Sequence, residues 1–383
     1  MKIAFITDSY TSMSFDIAVH IHILAEGLYR IGHTVLVVVP EVGTREPAME
    51  GRLVKCDGKP AENRAGIQLS KLGRRQLFET LSEFQPDVIH IHTLSETGLY
   101  AQQFAQKNRV PALLTVHSLE DAEKGRRRFS PAAIMRERAR VRTAQTVLEE
   151  AGQIAVLSEA MARRLHEEGL HTSGTLFPSA IDTSLFYPGG AREEQKKALA
   201  DSLSLGGKTA VLCGVCDDDS IYTVVEEWSK EFRGDDTFQL LIMDREEQTD
   251  ELLSLIHSLH LSQSVSLTGP LTREETAACY QLSCCYISCS QSEEFHFSAW
   301  EAAACGTPLL VRRGSGTACI VENKKNGFVW SEESELFDLV RKFARVQGPG
   351  KEALTRLVSS TVRGVTPQNQ AVAAERIYLS LLA

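Results

Sequence analysis

The chain has no apolar run approaching the roughly 20 residues that span a bilayer. Proline and glycine are sparse, 12 and 26 of 383 residues, which excludes a fibrous or low-complexity protein. Positive charge is also short: 41 Lys and Arg face 50 Asp and Glu, for a net charge of -9. General nucleic-acid binding is therefore not expected, because neutralising phosphates takes a basic face. The nine cysteines are odd in number and sit mostly in apolar runs such as QLSCCYISCS, the pattern of reduced, buried thiols rather than of a disulfide framework. Cys213 and Cys216 have CxxC spacing, but no second pair follows at ligand spacing and they close an apolar run, so they read as core. No G-x-G-x-x-G follows KIAFIT, which argues against a dinucleotide enzyme. The opening residues, MKIAFITDSYTSMSF, meet Asp8 too early for a signal peptide, and a cytoplasmic address is expected.

What is present is a regular alternation. KIAFIT is followed by Ile17, Ile21, Leu24, Leu28 and Ile31 on one helical face, then by Gly32 and TVLVVV, which makes a βαβ unit. DVIHIH at 87–92, ALLTVH at 112–117 and QIAVLS at 153–158 continue it, each nearly all apolar, as strands covered on both faces should be. FPSAIDTSLFYPGGAREEQ concentrates Pro, Gly, Ser and Asp, the composition of a linker, and places a boundary near Thr183. A second series follows at 209–215, 239–244, 265–269, 285–290 and 308–312. The fold class is α/β: two Rossmann-like, doubly wound domains, 1–183 and 184–365, facing a cleft at the carboxyl ends of their strands. The amphipathic segment 366–383 is expected to pack back on the first domain.

The stretch that carries chemistry is SEEFHFSAWEAAACGTPLLV, residues 292–311, with Glu293 and Glu301 eight apart. Glu293 falls on a loop and Glu301 in the first turn of a helix starting near Ser298, where a helix dipole favours an acid. A capping carboxylate on a solvated face would have the same sequence. With its flanks, however, the stretch resembles the retaining GT-B glycosyltransferases, notably family 4, in which E-x-F-G-x-x-x-x-E-A-x-x-x-G-T-P follows a strand. DVIHIHT, LTVHS, AVLSEAM, FPSAID, LTGPLTREE and VENKKNGF occur in the order of that family's own motifs.

The resemblance implies transfer of a hexose from a UDP- or GDP-sugar, with no other cofactor and no metal. Glu293 would lie near the donor hexose, Glu301 on the ribose hydroxyls and His117 at the sugar's reacting face. Phe295, His296, Ser298 and Arg245 complete the expected donor site, with backbone N–H groups at the helix start meeting the phosphates. His117 read alone is an ordinary strand-end residue, and His90 and His92 are expected to alternate across a strand.

The pattern also breaks. Where the family carries an Arg and, five residues on, a Lys to grip the diphosphate, this chain has Val215 and Ser220, flanking Asp217, Asp218 and Asp219. The acidic run reads as a solvated loop. Either Arg245, Arg312, Arg313 or Lys324 replaces the missing cations, or the chain keeps the scaffold as a binding or partner subunit without catalysis. Losing two charge-assisted contacts would slow transfer by about 100-fold or more.

Between Lys124 and Arg142 eight basic residues meet one acidic residue. The segment is either a solvated helix face or a patch for an anionic membrane surface. VRRGSGTACIVENKKNGF is closest in feel to family members that glycosylate diacylglycerol, which implies a lipid acceptor and a peripheral position on the membrane.

Overall fold

A computed structural model describes residues 1–8, 10, 16–42, 48–50, 52–60, 67–119, 131–169, 174–177, 180–214, 218–243, 249–292 and 296–383. The chain divides into two compact units, Met1–Ala180 with Pro367–Ala383, and Ile181–Thr366.

The first unit is built on one sheet. Its strands are β1 (Lys2–Ile6), β2 (Thr34–Val42), β3 (Ala48–Glu50), β4 (Leu53–Pro60), β5 (Ile67–Leu69), β6 (Val88–Ile91), β7 (Ala112–Val116), β8 (Ile154–Val156) and β9 (Thr175–Leu176). They lie in the order β3-β4-β2-β1-β6-β7-β8-β9, with β5 on β4; β3 and β5 run antiparallel to β4 and the other neighbours are parallel. Between them stand α1 (Asp16–Arg30), α2 (Lys71–Phe84), α3 (Glu96–Asn108), α4 (Pro131–Glu149) and α5 (Glu159–Glu167). Every residue of β6 and all but the first of β1 are buried, which explains their unbroken apolar sequences: helices cover both faces, so no polar alternation is tolerated.

The second unit holds β10 (Thr209–Cys213), β11 (Phe238–Ile242), β12 (Val265–Leu267), β13 (Ser283–Ser288), β14 (Leu309–Arg312) and β15 (Gly327–Trp330). Their order is β12-β11-β10-β13-β14-β15, all parallel, so the chain winds outward from β10 and then reverses across it to β13. Such a reversal leaves a crevice at the carboxyl ends of the two central strands, where ligands of these sheets bind. The first unit reverses likewise between β1 and β6. The helices here are α6 (Glu193–Ser202), α7 (Ser220–Glu231), α8 (Thr249–Ser258), α9 (Arg273–Leu282), α10 (Phe297–Ala304), α11 (Glu333–Ala344) and α12 (Gly348–Ser360). The core centres on Trp228, stacked on Phe232 at 4.1 Å with Phe337 edge-on to both. Cys213 and Cys289 are buried thiols in this core with no disulfide between them, their sulfurs 3.7 Å apart, while Cys216 lies outside the described residues.

The last helix, α13 (Pro367–Leu382), belongs to the first unit and lies on α1. Gly27 makes the close approach possible: a Cβ there would stand 2.6 Å from the Pro367 carbonyl oxygen. From α13, Tyr378 Oη reaches His90 Nδ1 at 2.7 Å and Glu375 pairs with His33 at 3.1 Å. Among the described residues no helix is long and apolar enough to cross a membrane.

Candidate active site

In the second unit the reversal between β10 and β13 gathers the loops that the sequence marks for donor binding. Glycine is required at position 214, because a Cβ there would fall 1.8 Å from Tyr286 Oη, whose hydroxyl bonds Ser298 Oγ at 2.7 Å. Strand β13 is thereby linked to the start of α10. Asp218 ties the other side. Its Oδ2 accepts from Ser290 Oγ at 3.0 Å and from the Gln291 N–H at 2.7 Å, and its Oδ1 accepts from the Ser220 N–H at 2.9 Å. The expectation of a solvated acidic loop is thus wrong for Asp218. Its carboxylate is spent on three donors that would otherwise leave the loop after β13 and the head of α7 unconnected. Ser220, standing where the family pattern has Lys, is the first residue of α7 and is buried.

Helix α10 starts at Phe297 with His296 as its N-cap residue; His296 is buried and its backbone N–H donates to Thr317 Oγ1 at 3.2 Å. Glu301 is consequently the fifth residue of the helix and not in its first turn. The dipole has fallen off by there. What holds this carboxylate, only 7% exposed, is Arg273 Nη1 at 2.9 Å from Oε1 and the Tyr280 hydroxyl donating to Oε2 at 3.2 Å. Arg273 opens α9, after the capping box of Thr272 and Glu275, and its guanidinium also lies 4.7 Å from the Phe186 ring centre. A buried carboxylate needs such partners to stay ionised and in place. Arg273 was not evident from the sequence, where LTGPLTREE signals only a helix start.

Of the cations proposed to replace the missing pair, Arg312 is engaged by Glu333 at 2.9 Å and lies over Trp330, and Arg313 Nε donates to Ser331 Oγ at 2.8 Å. Lys324 sits in a tight turn at φ 66°. Glu293, Phe295, Arg245, Val215, Asp217 and the basic segment 124–130 lie outside the described residues. A cavity of about 350 Å³ with Lys196, Lys208 and Lys351 in its wall opens at Thr209, Ser283 and Pro308, the amino ends of the strands. It is on the opposite edge from these loops and takes no part in the site.

In the first unit His117 follows β7 and His92 follows β6. His90 and His92 do not alternate across the strand. Residues two apart share a face, and their rings stand 4.0 Å apart. His90 spends both nitrogens, on Tyr378 Oη at 2.7 Å and Thr115 Oγ1 at 2.6 Å. Burial above all, reinforced by the neighbouring rings, holds His20, His90 and His92 well below the ordinary histidine range, and burial brings His117 down to about 4. At neutral pH all four are uncharged bases.

Comparison with known proteins adds to this geometry. Residues 17–185 match the family model for Glycosyltransferase Family 4, and residues 223–347 that for Glycosyl transferases group 1. An alpha-monoglucosyldiacylglycerol synthase of Acholeplasma laidlawii is 23% identical, with all of this chain and 98% of that protein aligned. A synthase of the same name from Streptococcus pneumoniae is 21% identical over 88% of this chain and 76% of its own length. Among solved structures, sucrose-phosphate synthase from Thermosynechococcus elongatus superposes with a TM-score of 0.77 at 18% identity, covering 99% of this chain and 98% of that one. HepE of Anabaena, in complex with UDP and glucose, superposes at 0.74 with 16% identity, over 99% and 100% of the two chains. The fold is that of the GT-B proteins.

Proposed function

Because the chain belongs to the glycosyltransferases whose two halves those models describe, we propose that it is a retaining hexosyltransferase acting from a nucleotide sugar onto a membrane lipid such as diacylglycerol. The observation that carries this reading is the end-to-end alignment with a lipid-directed synthase.

The donor nucleotide belongs with the loops after β10 and β13. Glu301, clamped through one oxygen by Arg273 and through the other by Tyr280, is held in place to accept from the ribose hydroxyls. The N-terminus of α10, headed by His296 and Ser298, offers backbone N–H groups to the diphosphate, and Phe295 and Arg245 are assigned to the donor as well. Glu293 serves the hexose, and neutral His117 hydrogen-bonds its reacting face. As the bond from the anomeric carbon to phosphate breaks, negative charge gathers on the diphosphate and positive charge on the sugar. Preorganised dipoles and carboxylates stabilise both.

Peripheral membrane docking has its support on α4. That helix buries Val141, Ala144, Val147 and Leu148 and leaves Met135, Arg138 and Arg142 exposed at helical spacing, an apolar residue among cations suited to an anionic interface.

The test is a transfer assay with vesicles containing diacylglycerol and a panel of UDP- and GDP-hexoses, run beside thermal shift with the same nucleotides. Formation of a glycosylated lipid with one donor is the expected outcome. Donor stabilisation without transfer would leave a binding protein, and neither signal with any donor would sink the reading.

A further inference from the structure

The cluster of buried histidines in the first unit is larger than sugar transfer uses. His20, on α1, lies with its ring centre 5.3 Å from that of His117 and 6.2 Å from that of His92. His92 Nδ1 and His117 Nε2 are 3.1 Å apart. Taking one nitrogen from each of the three rings, all lie within 4.8 Å of one another. The edge of a zinc coordination tetrahedron, with Zn–N near 2.0–2.1 Å, is about 3.3 Å, so the edge between His92 and His117 is nearly in place.

Two neutral imidazoles that close form either one N–H···N bond or a pair of lone pairs on a shared cation. The nitrogens that approach, His92 Nδ1 and His117 Nε2, are the pair that would share a cation. His90 is not a ligand of this set, since both its nitrogens are taken, and it serves instead as a wall tilted against His92. The Gln370 amide stands 3.4 Å from His20 Nδ1. Backing of this kind fixes the tautomer of a ligating histidine. Phe5 and Phe177 close the surroundings edge-on, which keeps competing water out. The three rings come from rigid elements, the carboxyl ends of two paired parallel strands and a helix packed on them.

We propose that His20, His92 and His117 form a transition-metal site, a three-histidine face that takes Zn²⁺ and leaves its fourth position open. Imidazole is the donor that suits zinc, copper and nickel and disfavours magnesium and calcium. Because burial already keeps the rings deprotonated, loading at neutral pH releases few protons. The site stands whether or not the chain transfers sugar.

The test uses the full chain stripped with a chelator and dialysed. Titration with Co²⁺ is expected to give the intense visible bands of a tetrahedral site, saturating at one ion per chain and bleached by Zn²⁺, with calorimetry giving the Zn²⁺ affinity. His20→Asn and, at a less buried ring, His117→Gln should each weaken Zn²⁺ binding more than about tenfold. His257→Asn, on α8 of the other unit, should leave it unchanged. Comparison of thermal melts without metal shows whether each variant folds. Failure of the wild-type chain to give the cobalt bands, or equal affinity in all three variants, overturns the site.

Discussion

Arg273 Nη1 stands 2.9 Å from Glu301 Oε1, joining the first residue of α9 to the fifth of α10 through a carboxylate that solvent hardly reaches. The guanidinium is 31% exposed, so the pair is anchored from inside and reachable from outside. Removing the cation leaves a buried charge without its ion-pair partner. In urea unfolding, Arg273→Ala and Glu301→Ala are expected to destabilise by about 2–4 kcal/mol each. The double variant should lose less than the sum, with a coupling of about 1–3 kcal/mol. Strict additivity would show that the pair is a surface accident.

Arg273→Ala is also expected to raise the KM for the nucleotide sugar with a smaller effect on kcat, because it positions a group that grips the donor and not the reacting carbon. Glu301→Ala should abolish most nucleotide-sugar binding by calorimetry. Unchanged donor affinity in both would remove Glu301 from the donor site.

Gly214→Ala drives a methyl into Tyr286 Oη and should lower stability by about 1–3 kcal/mol, the usual range for overpacking. Combining it with Tyr286→Phe, which removes the clashing oxygen and with it the bond to Ser298, is expected to restore part of the loss. Thermal melts of the three proteins decide it.

Asp218→Asn keeps the shape but weakens acceptance from Ser290, Gln291 and Ser220. A loss of about 1–2 kcal/mol is expected. Chemical shifts should change on both loops together, and changes confined to one loop would contradict the tie.

Acid should destabilise the metal-free protein in a defined window. His117 titrates at about 4 in the folded chain and His20, His90 and His92 well below the ordinary range, against about 6.5 when unfolded. The unfolded state therefore binds more protons as pH falls from about 6.5 toward 4. Stability is fully present above that window and is lost within it, by about 1.4 kcal/mol per pH unit for each ring. Urea midpoints measured in a chelating buffer test this, and a flat profile through the window would show the rings to be solvated.

The parallel strands were legible because burial on both faces leaves no room for polar alternation, as β1, β6, β10 and β13 show. Strands β3 to β5, at one side of the first sheet, were not, since AMEGRLVKCDGKPAENRAGIQL is largely polar and carries neither period. In the site, Glu301 was marked by its motif, but its partner Arg273 was hidden in a helix-start signal 28 residues earlier. His20 was overlooked because, together with His22, it reads as a polar interruption among Val19, Ile21, Ile23 and Leu24 of an apolar helix. Its phase, four residues before Leu24 on a buried face, was the available clue.

The contact between His90 and Tyr378 joins positions separated by 288 residues, with the whole second unit encoded between them. At about 5–20 residues per second, a ribosome needs about 15–60 s to cover that distance. Throughout that interval β6 and α1 lack their terminal cover, while the inserted unit has every strand of its own sheet once Trp330 is made, before Tyr378 appears. Vectorial synthesis thus favours maturation of the middle before the beginning.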